Sequence, residues 1–281
     1  NNDLNVKDYV ELEPTTPWYF FIPRNVKDLA FYLDWMKVNE IFPENVTGVL
    51  TARDNFAIDF DKQSLRNRII QFRNKSLNDE MIRDAFKLKD TRGWKLSEAR
   101  KKLQNDENWD TYYKKILYRP FDIREIYYTP LVIDWGRIEV MRHMLKDNLG
   151  LITIRRSRKF GNWDFAFITN KIISGSTAIS SLDINYLFPL YLYTDSEHNK
   201  KRNRPFYQTM SVFENKAEYS AKKPNIDQKL YDILNKTYKK LISPEEILYY
   251  IYAILYSNIY RKKYVDFLTI DFPRIPFTKD Y

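Results

Sequence analysis

The sequence predicts a mixed α+β fold, in which a predominantly antiparallel sheet region carries a basic tip and is joined by a helical insert and a C-terminal helical bundle. Strand-like segments rich in aromatic and β-branched residues occupy the middle of the chain. Short, highly charged helical segments fill residues 61–110, and apolar residues recur at helical spacing from residue 226 onwards. Runs of strands set apart from runs of helices are typical of the α+β class.

The composition bounds the class of protein. Of 281 residues, 44% are hydrophobic and 16% aromatic, which is enough to bury a sizeable core. The longest apolar run, residues 247–256, is about half a membrane span, so no membrane partner is expected. No signal peptide is recognisable, which predicts a cytoplasmic location. The sequence starts without Met and stops soon after an apolar stretch, so a longer parent chain is expected.

The residues usually needed for catalysis are scarce. Cysteine is absent, which excludes disulfides, thiolate catalysis and cysteine-bound zinc. His143 has no carboxylate at ligand spacing, and no metal site is predicted. The six glycines are far apart, so neither a phosphate-binding loop nor a dinucleotide fingerprint can be written, and no cofactor-binding residue is expected. Glu214-Asn215-Lys216 matches half of a nuclease pattern without its aspartate, so no catalytic residue is predicted either.

The N-terminal part predicts strands and helices in alternation. Prolines interrupt two short strands at residues 9–12 and 18–22, and a helix follows at 25–38. Residues 46–51 and 56–60 predict a β-hairpin with Arg53 and Asn55 at its tip, where both become candidate ligand contacts. Helices at 63–73, 76–86 and 97–103 form the insert, and their alternating charges are typical of a solvated surface. Ser76 and Asp79 predict a capping box for the second of them.

A stretch in the middle of the chain, Tyr118-Arg119-Pro120-Phe121-Asp122-Ile123-Arg124, predicts a joint between strands. Pro120 cannot donate to a strand ladder, so the second strand is expected to begin after it. Asp122 is then within reach of Arg119 or Arg124. A salt-bridged structural joint is the favoured interpretation, because paired charges beside aromatics usually hold backbone in place, and direct ligand contact is the alternative.

Basic residues concentrate after this joint. Between Arg137 and Trp163 seven basic residues stand against two acidic ones, within a net charge of +9. A helix is predicted at 137–147, and strands at 149–156 and 163–169 enclose a basic tip at residues 155–161. Arginines at a tip can bind phosphates and base edges, whereas a solvated charge run is the alternative. The candidate DNA contacts here are Arg137, Arg142, Arg155, Arg156, Arg158, Lys159 and Trp163.

The remaining chain predicts a hydroxyl-rich stretch, an interior strand and three helices. Residues 174–181 add Ser174, Ser176 and Thr177 to the candidate contacts. An antiparallel meander would place this stretch and the basic tip at opposite ends of strand 163–169, although a twist or bulge could line both along one groove. Residues 186–193 are apolar on both faces, which predicts an interior strand. A basic run at 200–204 precedes helices at 226–241, from Ser243 onwards and at 259–268, and two prolines enforce an extended exit.

Several motifs occur in a characteristic order. They are Thr47-Gly48, Thr51-Ala52-Arg53-Asp54, the joint with Tyr127-Tyr128, Val140-Met141-Arg142, Phe188-Pro189-Leu190-Tyr191-Leu192-Tyr193, Tyr250-Ile251-Tyr252-Ala253 and Asp271-Phe272-Pro273-Arg274-Ile275-Pro276. In this order the chain resembles the target-recognition region of single-chain restriction-modification enzymes, of the type ISP kind, and more loosely the fused type IIG N6-adenine DNA methyltransferases.

The resemblance implies a module that recognises double-stranded DNA by sequence and is not itself catalytic. It implies a parent chain with an N6-adenine methyltransferase domain that uses S-adenosylmethionine and contacts this region; whether the parent also cleaves DNA stays open. Three parts are expected: an N-terminal α/β lobe at 1–115, a DNA target-recognition core at 116–225 and a truncated helical subdomain at 226–281, unless all form one compact domain. The alternatives are a catalytic fragment such as a metal-dependent nuclease, with Glu214 as its testable residue, and a protein-interaction scaffold.

Overall fold

A computed structural model describes residues 11–12, 16–20, 27–159, 161–194 and 222–279. Residues 9–10 and 21–22 of the two predicted N-terminal strands lie outside the described residues, as do Phe160, the basic run at 200–204 and Glu214. The described residues of those two segments, 11–12 and 18–20, form no strand, so this prediction is wrong there. The strands are β1 Met36–Lys37, β2 Val46–Thr47, β3 Ile58–Asp59, β4 Tyr113–Arg119, β5 Asp122–Tyr127, β6 Gly150–Ile154, β7 Ala166–Thr169, β8 Ile172–Ile173, β9 Asn185–Pro189, β10 Tyr191–Tyr193, β11 Lys222–Pro224 and β12 Arg274–Ile275.

The helices follow the same order along the chain. They are α1 Leu29–Leu33, α2 Val38–Ile41, α3 Asp54–Ala57, α4 Lys62–Arg73, α5 Asp79–Phe86, α6 Leu96–Gln104, α7 Ile138–Met141, α8 Gln228–Tyr238, α9 Pro244–Tyr256 and α10 Asn258–Leu268, with short 3₁₀ turns at Trp109–Thr111 and Arg142–Leu145. No helix in the described part of the chain is long and apolar enough to cross a membrane.

Two four-stranded sheets form the centre of the fold. The first has the order β3-β5-β4-β8 and the second the order β2-β9-β6-β7. Every pairing in them is antiparallel except the parallel pairing of β4 with β8. Two-stranded ribbons, β1 with β12 and β10 with β11, complete the described sheet structure. The predicted mixed α+β class is confirmed. The single interior strand predicted at 186–193 is instead two strands, of which β9 lies inside the second sheet and β10 pairs, within the described part of the chain, only with β11.

The second sheet separates two hydrophobic cores. On one face Ile152 and Leu187 pack into a core shared with the first sheet and α4–α6. On the other face Leu151 and Phe188 pack into a core shared with α8–α10. Successive side chains of a strand point to opposite faces, so residues one position apart in β6 serve different cores.

The helical insert lies between β3 and β4, as the charge pattern predicted. Its outer faces are charged, but Leu65, Ile69 and Phe72 of α4 are fully buried, so each charged helix also carries a core face. The start of α5 differs from the prediction: Asn78 is the cap, and its side-chain oxygen accepts a hydrogen bond from the Met81 amide at 2.8 Å. A short polar side chain placed directly before the first turn satisfies a free helical amide.

The predicted hairpin at residues 46–60 is wrong. β2 pairs with β9, β3 pairs with β5, and residues 54–57 between them are the helix α3. Both strands are short and find their partners far along the chain, which a local turn pattern cannot reveal.

The predicted helix at 25–38 is also shorter, because Arg274 donates hydrogen bonds to the carbonyl oxygens of Leu33 (2.8 Å) and Trp35 (2.5 Å) at the end of α1. The helix predicted at 137–147 is instead the short α7 followed by a 3₁₀ turn.

The C-terminal helices begin as predicted. Ser243 caps α9, and its hydroxyl accepts from the Glu246 amide at 3.2 Å while the Glu246 carboxylate accepts from the Ser243 amide at 2.8 Å. This reciprocal capping box, with Pro244 at the first helical position, is a strong local start signal. The exit after α10 is extended, and β12 in it pairs with β1. Such pairings join the three predicted parts of the chain, and their division into domains stays a prediction.

Candidate nucleic-acid interface

Three surface segments meet at one end of the second sheet. We call them the hairpin turn (residues 119–122, between β4 and β5), the hydroxyl loop (residues 174–184, between β8 and β9) and the basic tip (residues 155–161, after β6). The Thr177 hydroxyl donates a hydrogen bond to the carbonyl oxygen of Tyr118, directly before the hairpin turn. At the other end of the loop, the Asp183 carboxylate accepts from the Arg158 amide at 3.0 Å. The hydroxyl loop therefore bridges the hairpin turn and the basic tip.

This arrangement overturns the expectation that the tip and the hydroxyl-rich stretch lie at opposite ends of one strand. After β7 the chain leaves the second sheet, and β8 pairs with β4 in the first sheet. The loop then returns to β9, whose first residue Asn185 lies opposite Ile154, the last residue of β6. Since the tip follows Ile154 directly, the loop and the tip leave the sheet side by side.

The basic tip presents exposed cations on an anchored backbone. Arg155, Arg156, Arg158 and Lys159 are all exposed. Arg155 forms an ion pair with Asp271 at 3.1 Å, and the Ser157 amide donates to the Thr269 carbonyl oxygen at 3.1 Å. Within the described residues, the side chains of Arg156, Arg158 and Lys159 form no ion pair. These three cations are therefore available to a ligand.

The hairpin turn is the structural joint predicted around Asp122. Arg124 binds the Asp122 carboxylate through two nitrogens, at 3.0 and 2.7 Å, and its guanidinium carbon lies 4.0 Å from the ring centroids of both Tyr118 and Phe60. Arg119 is exposed and takes no part in the Asp122 pair. Phe121 is 87% exposed and has a left-handed backbone (φ 63°).

Tyr118 joins this turn to the Thr51-Ala52-Arg53-Asp54 motif. Its hydroxyl donates to the Asp54 carboxylate at 2.8 Å. Burial raises the pKa of Tyr118, and its bond to Asp54 raises the pKa further. The hydroxyl therefore keeps its proton and remains a donor near neutral pH. Two of the motifs that carried the family resemblance are thus bonded to each other and form scaffold.

Arg53 is not at a tip, contrary to the predicted hairpin. It lines a cleft of about 520 Å³ together with Asp134, Trp135 and Ser176. Its guanidinium donates to the Val132 carbonyl oxygen at 2.6 Å and pairs with Asp134 at 2.6 Å, and the side chain is 6% exposed. Arg53 therefore supports the wall of the cleft.

The other candidate contacts near the cleft are more accessible. Asn55 is exposed on α3, and Ser176 is exposed at the start of the hydroxyl loop. Trp135 is 56% exposed, and the guanidinium carbon of half-buried Arg137 lies 4.7 Å from its ring centroid. Ser176 is the residue through which the cleft and the hydroxyl loop meet.

Three candidate contacts are turned inward. Trp163 is 2% exposed and packs in the second core, so its ring cannot stack on a base. Ser174 is 4% exposed, and its hydroxyl oxygen lies 2.8 Å from that of Thr177. Half-buried Arg142 donates to the carbonyl oxygen of Tyr193 at 3.1 Å. These side chains stabilise the fold, although the sequence analysis predicted them as DNA contacts.

Sequence reasoning missed the residues that assemble the interface. Asp183 and Asn185 are buried at the end of the hydroxyl loop, where they bond to the tip and to the loop itself. Leu182 and Ile184 between them are more than half exposed. The only sequence signal was the alternation of polar and apolar residues in 182–185, which does not say which set faces outward. Among the described residues no three His, Asp or Glu side chains gather as a metal site.

A family model described as the Type ISP C-terminal specificity domain matches residues 40–281. A search of curated proteins found no match.

Three solved structures have similar folds. The chain is similar to DrdV in a cryoEM structure of a DrdV–DNA complex, with 21% identity, a TM-score of 0.60, and coverage of 85% of this chain and 22% of that one. For the ATP-dependent Type ISP restriction-modification enzyme LlaBIII bound to DNA, the identity is 22%, the TM-score 0.60 and the coverage 87% and 15%. For a nuclease-deletion mutant of the Type ISP enzyme LlaGI in complex with a DNA substrate mimic, the identity is 19% and the TM-score 0.55, and the match covers 88% of this chain and 18% of that one. The chain thus spans less than a quarter of each of these proteins.

Proposed function

Because the chain belongs to the Type ISP C-terminal specificity domain family, we propose that it is the part of a restriction-modification enzyme that recognises double-stranded DNA by sequence. We assign the contact to the face formed by the hairpin turn, the hydroxyl loop and the basic tip. The observation that carries this assignment is the bridging of the two other segments by the hydroxyl loop, through Thr177 at one end and Asp183 at the other. The presence of DNA in the DrdV and LlaBIII structures supports DNA as the ligand.

The chemistry of this face suits DNA. Cationic side chains bind phosphates and so position the duplex, while arginine also offers two parallel donors to the major-groove acceptors of guanine. Arg155 is held by Asp271, which leaves Arg156, Arg158 and Lys159 as the principal contacts on the tip. Ser176 and Arg119 are exposed at the other end of the face and can donate to base edges or phosphates.

The proposal extends to the parent enzyme. We expect an N6-adenine methyltransferase domain, outside this chain, that uses S-adenosylmethionine and that this module directs to its target adenine. No cofactor is assigned to the module itself, since its six glycines are dispersed along the sequence. A cytoplasmic location is part of the same proposal.

The test is binding of fluorescent duplexes as a function of salt. The logarithm of the affinity should fall with the logarithm of salt concentration at a slope of roughly −3 or steeper, and Lys159→Ala should reduce its magnitude by about 0.9 if that side chain meets a phosphate. Arg156→Ala or Arg158→Ala should cost about 1 to 3 kcal/mol on the recognised sequence and less on random DNA if the side chain reads a base. Lys101→Ala, an exposed lysine of α6, is the control and should change neither quantity.

Three results would contradict the proposal. A slope near zero, or no binding at low salt, would leave a protein-interaction scaffold. Metal-dependent cleavage by the purified chain that Glu214→Ala abolishes would make it a nuclease fragment. Equal losses on both DNAs for every tip variant would keep the binding but move sequence reading to another surface, where the exposed Asn55 is the next candidate.

A further inference from the structure

The hydroxyl loop is folded with its polar side chains inside and its aliphatic side chains outside. Ser180, Asp183 and Asn185 are 8%, 7% and 0% exposed, whereas Leu182 and Ile184 are 59% and 56% exposed. The hydrophobic effect alone favours the opposite arrangement, because leucine and isoleucine are among the residues most often buried. Two neighbouring aliphatic side chains are thus held in solvent by the polar residues beside them.

A hydrogen-bond network fixes this inverted loop. The side-chain oxygen of Asn185 accepts from the amides of Ile179 (3.1 Å) and Ser180 (2.9 Å), and its side-chain nitrogen donates to the carbonyl oxygen of Gly175 at 3.0 Å. The Asp183 carboxylate accepts from the Ser180 hydroxyl at 3.0 Å. Turning Leu182 or Ile184 inward would break these buried bonds, and unsatisfied buried polar groups are costly. Leu182 and Ile184 therefore project from a rigid loop.

The same network places the pair beside the cations of the tip. Asp183, which lies between Leu182 and Ile184 in sequence, accepts the Arg158 amide through its other carboxylate oxygen at 3.0 Å. Exposed apolar side chains within a strongly basic surface are unsuited to a cationic or purely polar partner. They fit a ligand that is anionic along its edges and apolar inside, and duplex DNA with its phosphates and stacked bases has this chemistry.

We propose that Leu182 and Ile184 insert between stacked bases of the bound duplex and unstack one base step. The proposal rests on the proposed function and adds a mode of recognition to it. Transferring two aliphatic side chains from water into the base stack gains free energy of the same order as the cost of unstacking one step. Such insertion needs a rigid loop, because a flexible loop would deform before the stacked DNA bases separate.

The experiment uses duplexes that the chain selects from a randomised pool, with 2-aminopurine placed in turn at each position of the selected site. This base analogue fluoresces more strongly when it is unstacked. Wild-type protein should raise the fluorescence at one step of the site, and the double variant Leu182→Ala/Ile184→Ala should not. The double variant should also bind the selected duplex about tenfold more weakly or worse. Its melting temperature should be unchanged, because both side chains are exposed.

The matched control is Ile233→Ala. Ile233 is 60% exposed on α8, so this change removes an equally exposed aliphatic side chain from a different surface. It should leave both affinity and fluorescence as in the wild type. An equal loss of affinity in the control would make the effect a general one of apolar truncation and overturn the proposal.

Other outcomes also decide the matter. If fluorescence does not rise at any position, or if the double variant binds as the wild type does, insertion is excluded. If affinity falls when one thymine is replaced by uracil, without unstacking, the pair contacts a methyl group in the groove and the proposed insertion is wrong. In each of these cases Arg158→Ala and Lys159→Ala would still weaken binding, so the proposed function would stand. Failure of the wild type to bind any duplex would instead overturn both.

Discussion

At the scale of single residues, Arg53 connects two walls of the cleft beside the hydroxyl loop. It pairs with Asp134, donates to two carbonyl oxygens, of Thr51 and Val132, and lies with its guanidinium carbon 3.9 Å from the ring centroid of Trp94. The guanidinium of Arg53 therefore donates its hydrogen bonds to other residues of the protein. Asn55, two residues further along the same short segment, is exposed instead.

Arg53→Ala should therefore act on stability. Removing one partner of a nearly buried ion pair leaves Asp134 and two carbonyl oxygens without their donor, and we expect a loss of about 3 kcal/mol in the free energy of unfolding. Asn55→Ala, in the same segment but exposed, should change it by less than about 0.5 kcal/mol. Chemical denaturation followed by circular dichroism measures both. Unchanged stability of Arg53→Ala together with lost DNA binding would place Arg53 among the DNA contacts.

At the scale of elements, the hydroxyl loop depends on its crossing with the segment after β2. The Val49 amide donates to the Ile173 carbonyl oxygen at 2.8 Å, and the Gly175 amide donates to the Val49 carbonyl oxygen at 2.9 Å. The crossing brings the backbones of Gly48 and Gly175 together. A Cβ atom added to Gly48 would lie 2.5 Å from the Gly175 nitrogen, so only glycine fits there. This close backbone contact explains why the Thr47-Gly48 motif has glycine at position 48.

Gly48→Ala should displace the hydroxyl loop. The clash is with backbone, which cannot rotate away, and we expect a loss of about 2 to 3 kcal/mol in stability. Discrimination between the recognised duplex and random DNA should fall as well, since the loop carries Ser176 and Asp183. Gly93→Ala is the control, because a Cβ there has no atom within 4 Å. Equal melting temperatures for the two variants would show that the crossing can relax without effect.

At the scale of the whole molecule, one carboxylate ties together three distant segments. Asp271, in the exit after α10, pairs with Lys37 of β1 at 3.0 Å and with Arg155 of the basic tip at 3.1 Å. Burial by itself raises the pKa of Asp271, but hydrogen bonds from Lys37, the Phe272 amide and Arg155 outweigh it and hold the pKa below its usual 3.8. The basic tip is thereby attached to both ends of the described chain.

This link should be visible in the pH dependence of stability. A carboxyl whose pKa is lower in the folded state adds stability that is complete above its unfolded pKa and is lost as the pH falls through the folded pKa. The melting temperature of the wild type should therefore exceed that of Asp271→Asn by a constant amount above roughly pH 5, and the difference should shrink below about pH 4. Scanning calorimetry across this range measures it. A difference that persists undiminished down to about pH 2 would show that the charge of Asp271 is not the source.

The sequence by itself determined the features that depend on neighbours along the chain. The helical insert, the cap at Ser243 and the β9 part of the interior strand were predicted correctly. Each follows from local physics: side-chain periodicity, satisfaction of free helical amides, and strand propensity. The order of short motifs was likewise sufficient for the family resemblance, which the match over residues 40–281 bears out.

Only the tertiary structure decided what these features face. The partners of β2 and β3, the inward turn of Trp163 and Arg53, and the meeting of the hydroxyl loop with the basic tip all depend on contacts between residues far apart in sequence. A strand of two residues has too few side chains to specify its partner, and alternation in residues 182–185 does not say which set faces solvent. In this chain the answer came from buried hydrogen bonds of Asp183 and Asn185, which outweigh the burial of Leu182 and Ile184 because an unsatisfied buried polar group costs more than an exposed aliphatic one.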